Sequence, residues 1–384
     1  MTLPSSGNIV IVGGGVMGAS TLYHLAARGI KNAILLEKNQ FFGQEATGRC
    51  AGGVRYQFAT EINIRLSMAS LPMLERFKEE IGQDINYRKC GYFFALTNPA
   101  DAEAFRRNVQ LQNKLGVATE WLTGDEVRRR LPYMHFEDAL GGTFNPKDGL
   151  VDPNSVVMGY INAAQRLGGR AFSEVEVSGF DIVGGRIQSV KTNQGVIATP
   201  VVVNAAGPWA GALGQLAGVD IPIISLRRQM FTTTPLPDLP KDFPFVIDFA
   251  QSLYFHSEGE GILSGMSNPN ETHGFDENVD GKWELINLEA AINRLPMLEK
   301  AGLLSHWAGL YEVTPDAHPI YGKTPVEGYY VVGGFSGHGF MHGPVSGKLM
   351  AEIILEGKGA TLDVSALDLA RFVEGRLIKE YNVV

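Results

Sequence analysis

The stretch NIVIVGGGVMGASTLYHL, Asn8 to Leu25, constrains the fold more than any other. A short apolar run leads into glycines at 13, 14, 15 and 18, and an apolar series at Val16, Ala19, Leu22 and Ala26 follows at helical spacing until Gly29. The order is strand, turn, helix. A second apolar run, NAILLEK, follows at once and ends on Glu37, where a dinucleotide-binding unit places an acid on the adenosine ribose. Gly13 makes the tight turn, Gly15 lets backbone approach a pyrophosphate, and Gly18 lets helix and strand pack closely. The first turn of the helix, at Val16 and Met17, supplies N–H groups and a partial positive charge. A βα turn without a ligand is the alternative, disfavoured by strand, helix and Glu37 together. These residues leave FAD and NAD both open.

The rest of the chain sets the class. Its 384 residues exceed what one compact core serves and suit two or three intertwined domains. Hydrophobic residues make up 45% and charged ones 19%, the composition of an ordered globular chain. A formal charge of -8 and no basic run longer than Arg128 to Arg130 argue against nucleic acid as a partner. No apolar segment approaches the roughly 18 residues of a membrane span, and MTLPSSG lacks signal-peptide character, so a cytoplasmic location is expected. Cys50 and Cys90 form neither a disulfide framework nor a metal spacing, and the histidines lack a pattern such as HExxH. No metal is expected.

Further glycine turns favour FAD. QEATGRCAGGVRYQF carries Thr47, Gly48, Arg49 and Cys50, then Ala51, Gly52 and Gly53, small residues where a flat ring needs room. VVVNAAGPWAGAL brings Ala205, Ala206, Gly207 and Trp209 to a second strand-to-helix turn. A third lies in GYYVVGGFSGHGF, with the following helix expected to begin at about Met341 to Val345. Three such turns meeting on one ligand suit a long, extended FAD. Outside them, YRKCGYFFALT and GILSGM read as strands, EVEVSGFDIVGGRIQSVKT as a strand pair around a Gly-Gly turn, and TTTPLPDLPKDFP as a surface loop.

At these residues the sequence resembles the D-amino-acid oxidase superfamily of flavoproteins. The likeness is greatest to the group holding sarcosine oxidase and its beta subunits, dimethylglycine dehydrogenase, glycine oxidase and L-proline dehydrogenase beta subunits. GGGVMG, LLEK, ATGRCAGGVR, GGTFNPKDGLVDP, VVNAAGPWA, TPDAHPIYG and GFSGHGF carry it over nearly the whole length. The resemblance implies an α/β fold, α+β overall, of the glutathione-reductase type. It would join a Rossmann-like FAD-binding domain to a substrate domain built on an antiparallel sheet. The FAD-binding domain would be discontinuous, from 1–85, 147–221 and 307–384, with 86–146 and 222–306 forming the substrate domain. Lys38 and Val175 are assigned to the cofactor on the same ground, and Gly337, His338, Gly339 and Phe340 to the pyrimidine side of the flavin. His338 also reads as a residue fitted to its turn.

An amino-acid substrate brings a carboxylate, which calls for the bidentate cation of Arg. Arg55 and Arg49 are the candidates, Arg55 first because relatives clamp the carboxylate from this segment. An interface salt bridge is its alternative. Tyr254 matches a family tyrosine near the substrate, and strand alternation sends His256 to the same face. Where monomeric sarcosine oxidase has a substrate-binding Lys, this chain has Met341 followed by His342. A second family Lys, which promotes oxygen reaction, corresponds to Leu263, and the Cys that holds flavin covalently corresponds to Gly309. Noncovalent FAD is therefore expected, with the Cys50 thiol beside the ring. The implied reaction oxidises the C–N bond of a small secondary or N-methyl amino acid to an imine that water hydrolyses. Sarcosine is the first candidate substrate. An L-proline dehydrogenase beta-type subunit is the close rival, ahead of glycine or D-amino-acid oxidation and a non-catalytic flavin scaffold. Electrons would pass to O2 or to a protein or dye acceptor, and beta-type relatives bring the prospect of partner subunits.

Overall fold

The computed structural model describes residues 2–383. The glycine-rich opening folds as its pattern dictates, into strand Ile9–Val12, helix Val16–Ala27 and strand Ala33–Leu36. Both strands are apolar on both faces because they lie inside a six-stranded sheet. Its order is Ile320–Lys323, Tyr329–Gly333, Val202–Asn204, Ile9–Val12, Ala33–Leu36, Arg170–Phe172. All neighbours are parallel except the first pair. Helix Val16–Ala27 packs between helices Pro153–Arg166 and Gly339–Glu356, and the Ser20 hydroxyl donates to the Pro344 carbonyl at 3.0 Å.

A second sheet of eight strands runs in the order Leu303–Val313, Ile224–Thr233, Gly261–Met266, Leu253–Glu258, Phe245–Asp248, Tyr92–Leu96, Gly141–Asn145, Glu120–Thr123. Its pairs are antiparallel except Phe245–Asp248 with Tyr92–Leu96. Strand alternation divides its side chains between two cores. Phe93, Ala95, Val246 and Phe255 join Ala291 and Leu295, in and just after helix Gly281–Arg294. Tyr92, Phe94, Phe245, Ile247 and Tyr254 face the other way with Phe105 of helix Pro99–Lys114. That second face looks onto the functional site.

Three details differ from the sequence expectations. The strand Leu303–Val313 belongs to the second sheet along its whole length, so a boundary between 306 and 307 would cut a continuous strand. The proline-rich stretch is not confined to the surface: Thr232 and Thr233 end a strand, and Leu236 and Phe243 are buried in the core. The third glycine turn gives way to helix at Gly339, earlier than expected, because Gly337, at φ +96°, completes the reversal. The Gly184–Gly185 turn joins strands Val177–Val183 and Arg186–Thr192 as the pattern indicated.

Candidate active site

The three glycine turns line one cavity of about 420 Å³. Gly13 is at φ +113°, and a Cβ there would stand 2.3 Å from the Ala205 carbonyl oxygen, so the first and second turns interlock through backbone. Gly18 lies out of the cavity, and a Cβ on it would meet the Gly13 oxygen at 1.9 Å. Helix Val16–Ala27 presents its amino terminus to this space with no side-chain cap and no acid in its first turn. Its only side-chain partner there among the described residues is Thr47, whose Oγ1 accepts from the Val16 N–H at 3.1 Å. Unpaired N–H groups at a helix start are a site for a pyrophosphate.

Glu37 lines the same cavity, held by Gly14 N–H to Oε2 at 2.7 Å and Asn39 N–H to Oε1 at 2.8 Å. Both bonds orient the carboxyl, although burial pushes its pKa upward. The Lys38 ammonium lies 3.3 Å from the centre of the Trp209 ring, a cation–π contact on the cavity wall. Val175, Ala205, Ala206 and Gly207 complete this end, while Cys50, Gly337, Gly339 and Phe340 line the other. An uncapped helix, an anchored acid and glycine-lined walls fit FAD in donor set.

A chamber of about 70 Å³ adjoins that second end. Cys50, Tyr311, Gly337 and Phe340 belong to both spaces and form the wall between them. Ala51, Gly52, Gly53, Tyr92, Phe245, Ile247, Tyr254, Met341 and Val383 make the remaining walls apolar and aromatic, with Arg55 and Ser336 as polar exceptions. Arg55 is 5% exposed. Its guanidinium donates to the carbonyls of Gln57 and Asn382 and sits 4.0 Å over the Phe58 ring. Among the described residues it has no carboxylate partner, and burial lowers its pKa. A buried cation held by neutral carbonyls leaves one charge to be met by a ligand.

The other expected residues divide between wall and core. Tyr254 lines the chamber, its ring laid across Gly265 of the neighbouring strand, where a Cβ would meet the phenol oxygen at 2.2 Å. Met341 lines the chamber too. His256 does not: its ring packs 5.2 Å from Phe245, its Nδ1 meets the Ser257 carbonyl at 2.9 Å, and burial pulls its pKa to about 4. His342 is likewise withdrawn, its Nε2 2.9 Å from the Ser67 hydroxyl, with a pKa pulled to about 3 by burial. His338 packs with Phe58, Phe335 and His342 and lines neither space, which favours the turn-fitting reading over the flavin contact. Arg49 turns outward from its helical turn and donates to the Ala308 carbonyl at 2.7 Å. Its stem fills the gap beside Gly309, where a Cβ would stand 3.0 Å from Arg49 Cβ. Gly48 is a packing residue, 2.2 Å from the Gly43 oxygen by the same measure.

Several wall residues escaped the sequence reading. Tyr311 and Glu312 end the long strand immediately before the TPD motif, and their position there was the available signal. Glu312 lines the cofactor cavity without an ion-pair partner among the described residues, and burial pushes its carboxyl to about 7. Tyr92, Phe245 and Ile247 follow from alternation only once the sheet is known. Val383 had no signal at all.

Residues 8–353 match the family described as FAD dependent oxidoreductase. Among curated proteins, the mitochondrial sarcosine dehydrogenase of Homo sapiens is 31% identical, over 96% of this chain and 42% of that protein. The sarcosine oxidase subunit beta of Rhodobacter capsulatus is 26% identical, over 97% of this chain and 90% of that one. The crystal structure of L-proline dehydrogenase from P. horikoshii superimposes with a TM-score of 0.91 at 33% identity, covering 98% of this chain and all of that one. The chain thus spans less than half the length of the sarcosine dehydrogenases it matches.

Proposed function

We propose, for a chain that belongs to the FAD dependent oxidoreductase family, that it oxidises the C–N bond of a small secondary amino acid whose carboxylate is held by Arg55. One observation carries this reading: a buried arginine with no acidic partner among the described residues, in a small apolar chamber that shares a wall with the cofactor cavity. Bound there, FAD supplies an acceptor for the hydride equivalent released from the substrate.

The chain's own residues act by binding and orientation. Arg55 fixes the carboxylate, and the carbonyls of Gln57 and Asn382 fix the plane of Arg55. Phe245, Ile247, Tyr254 and Met341 enclose the carbon skeleton and exclude water. The amine enters unprotonated, so the carbon beside it gives up a hydride equivalent without a protein base, and the iminium this leaves loses its N–H proton to water to give the imine. Water outside the chamber then hydrolyses the imine. Helix Gly339–Glu356 starts at the wall of the cofactor cavity, where its positive end would favour negative charge on a bound flavin.

Among secondary amino acids we favour L-proline over sarcosine. The apolar lining rewards a ring of methylene groups that sarcosine lacks, and the L-proline dehydrogenase match covers both chains end to end. Sarcosine is the second reading, supported by the similarity to sarcosine dehydrogenase and to the sarcosine oxidase beta subunit. Arg55 is the one cation among the described chamber-lining residues, and Leu263 packs on Tyr254 and Met230 where a Lys would assist oxygen. The Leu263 position supports electron transfer to a partner or dye acceptor, because oxygen reduction is helped by positive charge at the ring. The test is anaerobic addition of L-proline and of sarcosine to the yellow enzyme, followed by air. Bleaching by L-proline with slow recovery supports the proposal. Bleaching by sarcosine alone transfers it to the second reading, and bleaching by neither removes it.

A further inference from the structure

The back of the substrate chamber is closed by a segment far away in sequence. Val383 lines the chamber, and the carbonyl of Asn382 accepts a hydrogen bond from the Arg55 guanidinium. Asn382 is itself held, its Oδ1 accepting from Asn108 Nδ2 at 3.2 Å. Glu380 accounts for the arrival of these residues at the site. Its Oε1 accepts from the N–H groups of Ala59, Tyr381 and Asn382 at 2.9, 3.1 and 2.9 Å. Its Oε2 accepts from the Thr60 N–H at 3.1 Å, the Thr60 hydroxyl at 2.8 Å and Asn63 Nδ2 at 3.0 Å.

The donors of Ala59, Thr60 and Asn63 sit at the start of helix Glu61–Glu75, whose N-cap Thr60 makes no side-chain cap of its own. Glu380 takes the N-cap N–H from across the fold, the bond that the acid of a capping box makes. The helix start it caps lies a few residues beyond Arg55. One carboxylate therefore fixes both the backbone following the carboxylate clamp and the carbonyl that touches the clamp.

We infer that residues 380–383 belong to the substrate site: Glu380 and the Asn382 carbonyl position Arg55, and Val383 sets the size of substrate the chamber admits. The inference rests on Arg55 as the carboxylate clamp. Glu380 is a positioning residue, acting through Asn382 and Arg55, and Val383 is a specificity residue by direct contact.

The experiment uses the FAD-loaded enzyme and four substrates of rising size, sarcosine, N-ethylglycine, L-proline and L-pipecolate, with kcat and KM measured separately. Val383→Phe is expected to lower kcat/KM for L-proline and L-pipecolate relative to sarcosine by about tenfold, and Val383→Gly to raise L-pipecolate relative to L-proline by a similar factor. Glu380→Gln is expected to raise KM about tenfold for every carboxylate substrate with kcat changed far less, since a looser clamp weakens binding rather than the chemical step. It should leave pyrrolidine, which has no carboxylate, unchanged relative to the parent enzyme. Size profiles unaltered in both Val383 variants overturn the specificity role. Equal effects of Glu380→Gln on L-proline and pyrrolidine, or none on either, overturn the positioning role. Should Glu380→Gln fail to fold, the carbonyl's part is read from Asn382→Pro, which keeps the carbonyl but removes the N–H that Glu380 holds, with the same KM criterion. Arg55→Ala separates the premise from the inference: an unchanged KM there defeats the clamp itself, whereas a raised KM beside unaltered Val383 profiles defeats only the inference.

Discussion

The two adjoining spaces of this molecule are built in opposite ways. The cofactor cavity takes its floor from backbone and small residues of three strand-to-helix turns, each a continuous run of sequence, with side chains such as Glu37, Lys38, Trp209 and Glu312 around it. The substrate chamber is walled by single side chains from segments near 50, 92, 250, 311, 340 and 383. A wall made of backbone has no tolerance for added atoms, whereas a wall made of side chains can be changed one contact at a time. Variants in the first should therefore lose the cofactor outright, and variants in the second should change substrate preference while the protein stays yellow.

The largest effect is expected at Gly13. Gly13→Ala forces a Cβ against the Ala205 carbonyl at a φ of +113°, and neither backbone can move without shifting the central sheet. Strain and overlap together cost about 3 kcal/mol or more. The ratio of flavin to protein absorbance in the purified variant should fall to less than about a tenth of the parent's, the drop that such a free-energy loss implies. Full flavin content would show that the turn yields as a side-chain wall does.

Arg55→Ala should act on the other side of the partition. Loss of a charge-assisted clamp in a buried site costs about 2–4 kcal/mol, so kcat/KM should fall by about two to three orders of magnitude through KM, with flavin content unchanged. Arg55→Lys should recover little of it, because the two carbonyl contacts and the carboxylate all need the planar fork. Joint loss of flavin and activity would mean that the two walls are not separable at Arg55.

The same contrast explains which parts were legible in the sequence. Gly13, Gly15, Gly18 and Glu37 are bound together by two paired strands, one glycine turn and the helix between them, so their spacing along the chain sets their spacing in space. Alternation gave the two faces of strand Leu253–Glu258 and hence Tyr254. It could not say that Phe245 would cover His256, because that depends on a strand paired in register beside it. Tyr92, Ile247 and Val383 converge only through the eight-stranded sheet and a returning segment, relations that no local pattern carries. The three histidines withdrawn into the core show the converse error. Polar residue types near a reactive site suggest chemistry, while His338 and His342 pack against Phe58 and Phe335.

Glu312 is a side-chain element of the cofactor cavity whose charge can be tested by itself. Its carboxyl is raised to about 7 from an ordinary value of 4.5, so the folded apoprotein keeps a proton that the unfolded chain has lost. Between those values the unfolded state binds fewer protons, and Glu312 makes the apoprotein progressively less stable as pH rises from about 4.5 through about 7, with no further change above. Glu312→Gln should remove that slope and stabilise the apoprotein above neutrality by about 1–2 kcal/mol, discounted because the residue is partly open to the cavity. Urea unfolding of both apoproteins at pH 5.5 and 8 measures it. A variant destabilised equally at both values would assign Glu312 a packing role instead.

Tyr254→Phe should be milder. The phenol makes no hydrogen bond with the described residues and faces the chamber, so only a contact to substrate is lost, worth about 0.5–1.5 kcal/mol. KM for L-proline should rise a few fold with flavin content intact. A change of a hundredfold would promote the tyrosine from wall to reactive group.

Cys50 belongs to both spaces and offers the smallest and most discriminating effect. Burial pushes its thiol to about 12, far above the usual range, so almost none of it is thiolate at neutral pH. A neutral, half-buried thiol on the shared wall should neither bond to the flavin nor react quickly with alkylating agents. Acid precipitation should release all the flavin, Cys50→Ala should bind FAD as the parent does, and iodoacetamide at pH 8 should leave Cys50 unmodified in the holoenzyme over times that label a free thiol fully. Rapid labelling, or flavin carried down with the protein, would mean that solvent or cofactor reaches the sulfur. The partition between the two spaces would then be a reactive element rather than a wall.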